Sequence, residues 1–292
     1  MANDIIEELK RASTFSEMWV GEDELVQRMS ADERLATDRL IEFIRYRPVL
    51  EALFPNPLDR GDLERQLNIS RATSHRFTKR LIELDLIEKI DGTFSLTGYG
   101  EAVSDETLRY ETNVRAARRL APLLDVICEF HREFVVGSVA DATVTTADPE
   151  DPYRPVNRFV ALARESDTFR GFNTTQMVPL SMEGFHRELF EKTDTEVIYL
   201  PDAARTLLET YPERAAEAIA RGHLALRSRD ALPYGLAIFD EQVGIGGYDE
   251  ETGTLRVFVD TDAAITREWA EGVYELYRRD SEPLDGRLVR RE

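Results

Sequence analysis

Between Leu40 and Gly100 the apolar positions come in short blocks closed by turn signals. LIEFIRYRPVLEALF predicts a first helix that ends before the Pro55–Pro57 loop, with Pro48 suited to opening its main segment. DRGDLERQL, residues 59–67, reads as a short second helix and Asn68-Ile69 as a turn. Ser70 then caps a third helix, RATSHRFTKRLIEL, on which Phe77, Leu81 and Leu84 share one face. LIEKI and TFSL alternate on either side of Asp91-Gly92, a strong short hairpin signal. Helix, helix, turn, helix, hairpin is the order of a winged helix-turn-helix, and we assign it to residues 38–100. The charged and weakly periodic residues 1–37 form an extension ahead of it, irregular or helical, with apolar residues scattered from Ile5 to Val20.

Residues 97–134 read as long helical segments, and 101–136 are assigned to a helical linker. Tyr110, Val114, Ala117, Ala121 and Leu124 step by fours and threes, a short heptad-like seam. Two readings of it stand side by side: packing on the neighbouring domain, or a seam between two copies of the chain. Pro122 argues against one unbroken helix and suits a new start. The stretch from Asp141 to Pro155, rich in acids and prolines, reads as a loop leading onward. From there the texture is α/β, and 137–292 is assigned to a C-terminal regulatory domain. Helices are expected over 157–165, 182–191, 202–221 and 263–279. TEVIYL and four strands in HLALRSR, YGLAIFD, QVGIGGYD and TLRVFVDTD alternate with them. Tight turns between successive strands make part of the sheet antiparallel. The fold class is therefore α+β: a winged helix-turn-helix, a helical linker and an α/β sensor-like domain with a mixed sheet.

The 292 residues suit two modest domains, and no stretch approaches the ~20 apolar residues of a membrane span. The first residues carry acids early and lack the apolar core of a secretion signal, which points to the cytoplasm. The single cysteine, Cys128, forms no internal disulfide or Cys-based zinc cluster and reads as a buried small hydrophobe. Fifty-six acidic residues against 37 basic ones give a net charge of −19, which by itself opposes nucleic acid. Lys10, Lys79, Lys89 and Lys192 are the only lysines. A carboxylate-rich, lysine-poor surface is expected of a protein adapted to high salt, where self-repulsion is screened. Local charge then decides. Between Arg60 and Arg80 six bases face only Asp62 and Glu64, so the sign of the chain reverses there.

With Phe77, Leu81 and Leu84 inward, the third helix leaves Arg71, Thr73, Ser74, His75, Arg76, Lys79 and Arg80 for its outer and flanking faces. DNA binding needs cations for phosphates and long side chains that reach base edges from the major groove. Arg71 and Thr73 suit contacts near the helix N-terminus, which itself favours anions. Arg76 suits bidentate guanine reading. Arg60 at the start of the second helix and Lys89 in the wing suit the backbone, although Glu88 and Asp91 keep the wing tip from being strongly basic.

Three segments carry a resemblance. NISRATSHRFTKRLIELDLIEK resembles the recognition region of archaeal winged-helix regulators. RGFNTTQMVP with TEVIYLPDAARTLLETYP, and LPYGLAIFDEQVGIGGYDEETGTLRVFVDTD, resemble the regulatory domain of archaeal transcription regulators of the filament- and methanogenesis-regulator type. That domain is itself similar in outline to the sensor domain of TrmB-like regulators. The resemblance spans residues ~40–285 and implies a transcription regulator, dimeric, whose C-terminal domain modulates binding to double-stranded promoter DNA. It implies no cofactor, no catalytic residue and no particular effector.

Arg170, Asn173, Thr174, Tyr234 and Tyr248 lie beside glycines at strand ends, where a small-molecule pocket often opens; the alternative is that Tyr234 is core and GGYDEETG a plain hairpin. An enzyme is disfavoured: the chain holds no GxSxG, no phosphate loop and no HExxH, and its histidines are only His75, His131, His186 and His223. Asp240 and Asp249 suit a carboxylate pair at neighbouring strand ends, a cheap coincidence in so acidic a chain. A winged helix that docks another protein is the remaining alternative, and it has no need of a basic patch.

Overall fold

The computed structural model describes residues 37–174, 183–249 and 252–284; the expected N-terminal extension lies outside them up to residue 36. The described elements fall into two compact units that divide between Val114 and Arg115, inside one helix.

In the first unit, helix α1 (Thr37–Leu53) runs through Pro48 rather than starting at it. Helix α2 (Arg60–Leu67) is capped by Asp59, whose side chain accepts from the Asp62 amide at 2.8 Å. It ends at Asn68, whose left-handed φ of 52° makes the turn. Helix α3 (Arg71–Glu83) opens on Ser70, whose hydroxyl accepts from the Thr73 amide at 3.2 Å. The wing is the antiparallel pair β1 (Ile87–Ile90) and β2 (Thr93–Leu96). Asp91 and Gly92 both sit at positive φ in the turn, as a two-residue hairpin of this hand requires. Leu58 pairs with Phe94 through 3.0 and 2.8 Å amide bonds and adds a short third rung to the wing. Phe43, Leu50, Leu63, Leu81, Leu86 and Phe94 form the core of this unit.

Helix α4 (Gly98–Leu124) then runs without interruption. The expected break at Pro122 does not occur, because the proline falls in the last turn and forfeits a hydrogen bond where the helix is already ending. The next helix, α5 (Glu129–Ser138), begins seven residues later than that expectation placed it.

The second unit is built on an eight-stranded sheet of order β10-β6-β5-β4-β7-β8-β9-β3. Strands β4 (Thr168–Asn173), β5 (Asp194–Tyr199) and β6 (Leu224–Ser228) are parallel neighbours. On the other side of β4 the sheet turns antiparallel through β7 (Gly235–Ile238), β8 (Val243–Tyr248) and β9 (Leu255–Thr261). The edges are β3 (Thr143–Thr146) against β9 and the two-residue β10 (Glu282–Pro283) against β6. The mixed sheet matches the sequence expectation, and the fold is α+β.

Both faces of this sheet are covered. Helices α6 (Arg154–Arg164), α7 (Glu183–Lys192), α8 (Pro201–Thr210) and α9 (Pro212–Arg221) contribute to one core with Phe169, Val197 and Phe258. The end of α4, α5 and α10 (Ala264–Arg279) contribute to the other with Phe172, Ile198 and Val257. Adjacent strand residues going to opposite cores is the period of two made visible. Phe159 of α6 sits among the rings of Phe169, Phe185, Phe239 and Phe258 with centroids 5.6–6.1 Å away. Each such buried ring contributes roughly 1.5–3 kcal/mol. Arg158 grips the buried Asp260 through two bonds of 3.0 and 2.6 Å and so ties α6 to β9.

Two expectations are corrected in this unit. The single helix expected over 202–221 is two helices, because Pro212 lacks an amide and pushes Tyr211 to φ −127°, ψ 53°. The expected loop at 141–155 contains β3, since the alternating TVTT ahead of the prolines is itself strand-forming.

In the α5–α10 core the His131 ring is buried and 2.5 Å from the Tyr234 hydroxyl. Burial pushes its pKa down to about 4. A folded pKa below the ordinary 6.5 means the unfolded chain binds the proton more readily. The neutral imidazole's contribution is therefore full above pH ~6.5 and falls progressively toward pH ~4, by on the order of 2–3 kcal/mol. Urea midpoints of the parent and of His131→Gln over this pH range should converge as pH falls. Parallel curves would show that His131 is not the group responsible.

Candidate nucleic-acid interface

Helix α3 sorts its residues by exposure. Ser74, Thr78 and Leu81 are buried, whereas Arg71, Ala72, His75, Arg76 and Lys79 form one exposed arc. At 1.5 Å rise per residue its 13 residues span about 20 Å, enough for the bases of roughly one half-site. Its N-terminal turn contains no acid, so Arg71 and the uncovered amides present positive potential together. Arg71 and Arg76 have no carboxylate partner among the described residues. Arg76 lies beside its own neighbour, the Phe77 ring, at 5.5 Å. Phe77 in turn meets Tyr46 edge-on at 5.2 Å and closes the inner side of the helix.

Three of the expected contacts change meaning. Ser74 is 1% exposed and faces the core, one position off the exposed arc, so the seven-residue assignment to outer and flanking faces was too wide. Arg80 is turned away: its guanidinium makes two 2.8 Å bonds to Glu42 of α1 and a third to Glu83. The Arg80 hydrogen bond holds the Glu42 carboxyl below its ordinary range, and Glu42 with Glu83 raises Arg80 further. Thr73 bonds Ser70 through its hydroxyl at 3.0 Å and belongs to the cap. Arg65 is similarly engaged by Asp62. Lys79 stays exposed with only a long 3.9 Å approach to Glu83.

At the root of the wing, Arg60 and Lys89 both lie over the buried Phe94 ring, at 5.9 and 5.5 Å. This grouping leaves no trace in the sequence, because α2 and β1 meet there only in space. The wing tip carries the exposed Ile90 between Lys89 and Asp91. Two cations over one ring, with Arg60 half-buried, gather positive charge at the wing root.

The other sequence-derived residues separate. Tyr110 and Val114 on α4 are 58% and 49% exposed, while Leu124 packs on the C-terminal core. The side of α4 that enters that core is Ala116, Leu120 and Leu123, not the Tyr110–Leu124 seam. Of the five pocket residues, Tyr234 is core and bonded to His131, and Arg170 pairs with Glu271 at 3.2 Å. Asn173 and Tyr248 do come together, Tyr248 Oη donating to Asn173 Oδ1; Thr174 follows at the end of β4. Asp240 and Asp249 lie at opposite ends of β7 and β8 and are not a pair. Burial raises the Asp240 pKa, but the Thr168 hydroxyl and the Asp167 and Thr168 amides, at 2.6 and 3.1 Å, donate to the carboxylate and hold it below its ordinary value. No group of acids, histidines and cysteine suited to a metal ion occurs among the described residues.

Comparison with known proteins gives two family matches. Residues 152–280 match the middle domain of methanogenesis regulatory protein FilR1, and residues 34–119 match the HVO_A0261 N-terminal domain. No curated protein matches the chain. Among solved structures, TrmBL2, an archaeal chromatin protein described with a novel mode of DNA binding, is similar at 13% identity; the likeness covers 85% of this chain and 100% of that one, with a TM-score of 0.39. Nuc, a phospholipase D family member from Salmonella typhimurium, is similar at 13% identity over 49% of this chain and 99% of its own, TM-score 0.33. ZitR from Lactococcus lactis is similar at 16% identity over 43% and 90%, TM-score 0.24. Superpositions this loose carry no functional argument.

The division of α3 into free and engaged cations has a stability consequence. Arg80→Ala should lower the melting temperature, since it strands Glu42, while Arg71→Ala and Arg76→Ala should leave it nearly unchanged. Adding Glu42→Ala to Arg80→Ala should recover part of the loss, as coupled partners do. Equal melting temperatures for all three arginine variants would contradict the assignment.

Proposed function

We propose that this chain, a member of the FilR1-type archaeal transcription regulators by its two matched domains, binds promoter DNA sequence-specifically through α3 and the wing root. Transcription regulation follows from the family; the residues and the mode of contact are our reading. One observation carries it. In a chain of net charge −19, α3 exposes Arg71, His75, Arg76 and Lys79 on a single arc, with Arg71 and Arg76 free of carboxylate partners among the described residues. A surface that only docked a protein would gain nothing from arginines kept clear of so many acids.

Roles follow from position. Arg71 at the helix start suits a phosphate, aided by the first-turn amides that the Ser70 cap leaves free. Arg76, one turn along, suits the O6 and N7 of a guanine, worth about 1–3 kcal/mol of discrimination. His75 and Lys79 lie between and beyond them on the same arc. Arg60 and Lys89, held at the Phe94 ring, suit the backbone flanking the groove. No described helix is long and apolar enough to cross a membrane, and such a regulator acts where the chromosome lies, in the cytoplasm.

A dimer extends the reading. One winged helix offers a small footprint, and two would engage half-sites about 34 Å apart. Support comes from the exposed apolar side chains of the first unit: Tyr110 and Val114 on α4, and Leu40, Ile41 and Ile44 on α1. An ion pair between Arg47 of α1 and Glu111 of α4 links the two helices beside these stripes. The C-terminal unit, with both sheet faces covered, is the regulatory half of the reading.

Two measurements test the proposal. Arg71→Ala and Arg76→Ala should each weaken binding to the cognate promoter by tenfold or more, about 1.4 kcal/mol, with melting temperature preserved. Promoter affinity equal to the parent's in both variants would remove α3 from the interface. Light scattering at micromolar concentration should report two chains per particle, and Val114→Glu should shift it toward one; a parent that is monomeric would end the dimer reading.

A further inference from the structure

The parallel strands β4, β5 and β6 end together on one side of the C-terminal sheet, next to the point where β7 reverses the pairing. Ligands of open α/β sheets bind outside the carboxyl ends of the parallel strands. Here the ends carry Asn173 of β4 and Tyr199 of β5, with Gly235 of β7 opposite Asn173. A register shift between Gly247 and Tyr248 in β8 turns Tyr248 across to the same place. Its hydroxyl donates to Asn173 Oδ1. Glycine at 235 is a steric requirement: a β-carbon there would lie 2.9 Å from Tyr248 Oη and 3.0 Å from Asn173 Oδ1.

Beneath this polar end is a hollow of about 510 Å³ of non-atom space, its mouth included. Its walls are the rings of Phe159, Phe169, Phe185 and Phe190 together with aliphatic side chains from β5, β6 and α8. None of its described lining residues is Asp, Glu, Lys or Arg. The polar groups that reach it are Asn173, Tyr199 and His186, all buried. Tyr199 Oη has no hydrogen-bond partner among the described residues, and burial raises its pKa, so it stays a neutral donor and acceptor. Asn173 uses its oxygen on Tyr248 and keeps its amide hydrogens for another acceptor.

We infer that this hollow is an effector site for a neutral, planar, largely aromatic small molecule that carries one hydrogen-bonding group, such as a carboxamide, at the Asn173–Tyr199 end. The inference deepens the regulator reading by naming what the C-terminal unit would sense, and rests on that reading only for the effect on DNA. The physical argument is one of exclusion as much as fit. An ionised carboxylate, a phosphate or a cation would be desolvated with no Asp, Glu, Lys or Arg in the described lining to pair with it. A sugar would bring many hydroxyls to walls that bond few of them. A flat apolar ring meets edges and faces of phenylalanines at its own spacing. In its closed form the hollow has room for only about one or two waters. Entry therefore moves rings aside, and those on α7, Phe185 and Phe190, are the ones carried by a short helix on the outer layer.

The test uses the full chain without DNA. Thermal melting and ligand-observed NMR are run with benzamide and 2-naphthamide, against benzoate and glucose. The amides should raise the melting temperature in a concentration-dependent way, 2-naphthamide more than benzamide, and benzoate and glucose should not. Tyr199→Phe keeps the ring, so it should fold with a melting temperature close to the parent's and bind the amides about five- to tenfold more weakly. Leu189→Trp, at the half-buried rim, should abolish binding without touching the polar end. The inference is overturned if neither amide binds at millimolar concentration, if benzoate or glucose binds as well as they do, or if Tyr199→Phe binds undiminished. Promoter binding is measured separately: amide binding by a protein that ignores DNA would sink the regulator reading and leave this site standing. The reverse result would do the opposite.

Discussion

Strand β4 must satisfy two different neighbours. On one side it makes parallel bonds to β5, and on the other antiparallel bonds to β7. Gly171 at its middle permits this closeness, since a β-carbon there would stand 2.0 Å from the Leu236 carbonyl oxygen. Everything in the C-terminal unit is arranged around that seam. The parallel side needs crossover helices, and α7, α8 and α9 supply them; the antiparallel side needs only turns. Because helices return on both faces, the central strands read as nearly continuous apolar runs, such as GLAI and VGIGG, all buried. The strand ends are then the few places where a polar side chain can remain next to a large apolar interior.

The first unit depends on a different economy, the distribution of charge. Its arginines divide into those that hold the fold and those left clear. Arg80 fastens α3 to α1 through Glu42, Arg47 fastens α1 to α4 through Glu111, and Arg65 closes on Asp62. Exposed pairs of this kind add little each, but they withdraw both charges from the field. What survives on the α3 arc is positive, although the chain as a whole is strongly acidic. Global charge and local charge thus answer different questions, the first about solvent and solubility, the second about contact.

The winged helix was legible in the sequence because each of its boundaries has a local cause. Asp59 and Ser70 are caps, Asn68 tolerates the left-handed turn, and Asp91-Gly92 dictates the hairpin. The strands of TEVIYL, YGLAIFD and QVGIGGYD were legible for the same reason, through apolar runs bounded by turns. What sequence could not separate was the outside of a helix from its flank. Ser74 and His75 are neighbours of similar polarity, yet one is core and the other solvent, and only the packing of Leu81 and Leu63 decides which. Arg80 reads as a free cation until Glu42, 38 residues earlier, comes to meet it. β3 was hidden by the prolines that follow it. Asn173 and Tyr248, singled out in the sequence for the glycines beside them, do meet through a hydrogen bond, whereas Tyr199 reads in the sequence only as one residue of the strand TEVIYL.

Helix α4 belongs to both halves of the chain. Its beginning packs Val103 on the core of the winged helix, and its end places Ala116, Leu120 and Leu123 in the core beside the sheet. The natural seam between the two families matched, residues 120–151, therefore does not coincide with any seam of packing. A fragment cut at Val114 ends in mid-helix; one that starts at residue 137 lacks the side chains that fill a trough on the sheet. Chimaeras that graft this C-terminal unit onto another winged helix, or this winged helix onto another C-terminal unit, must carry the whole 27-residue helix with one partner or splice inside it in phase. A splice of one residue too many turns everything beyond it by about 100° about the helix axis. Evolution faces the same restriction as the engineer: in this architecture domains are exchanged by the turn of a helix, and the length of the join is counted in units of 3.6 residues.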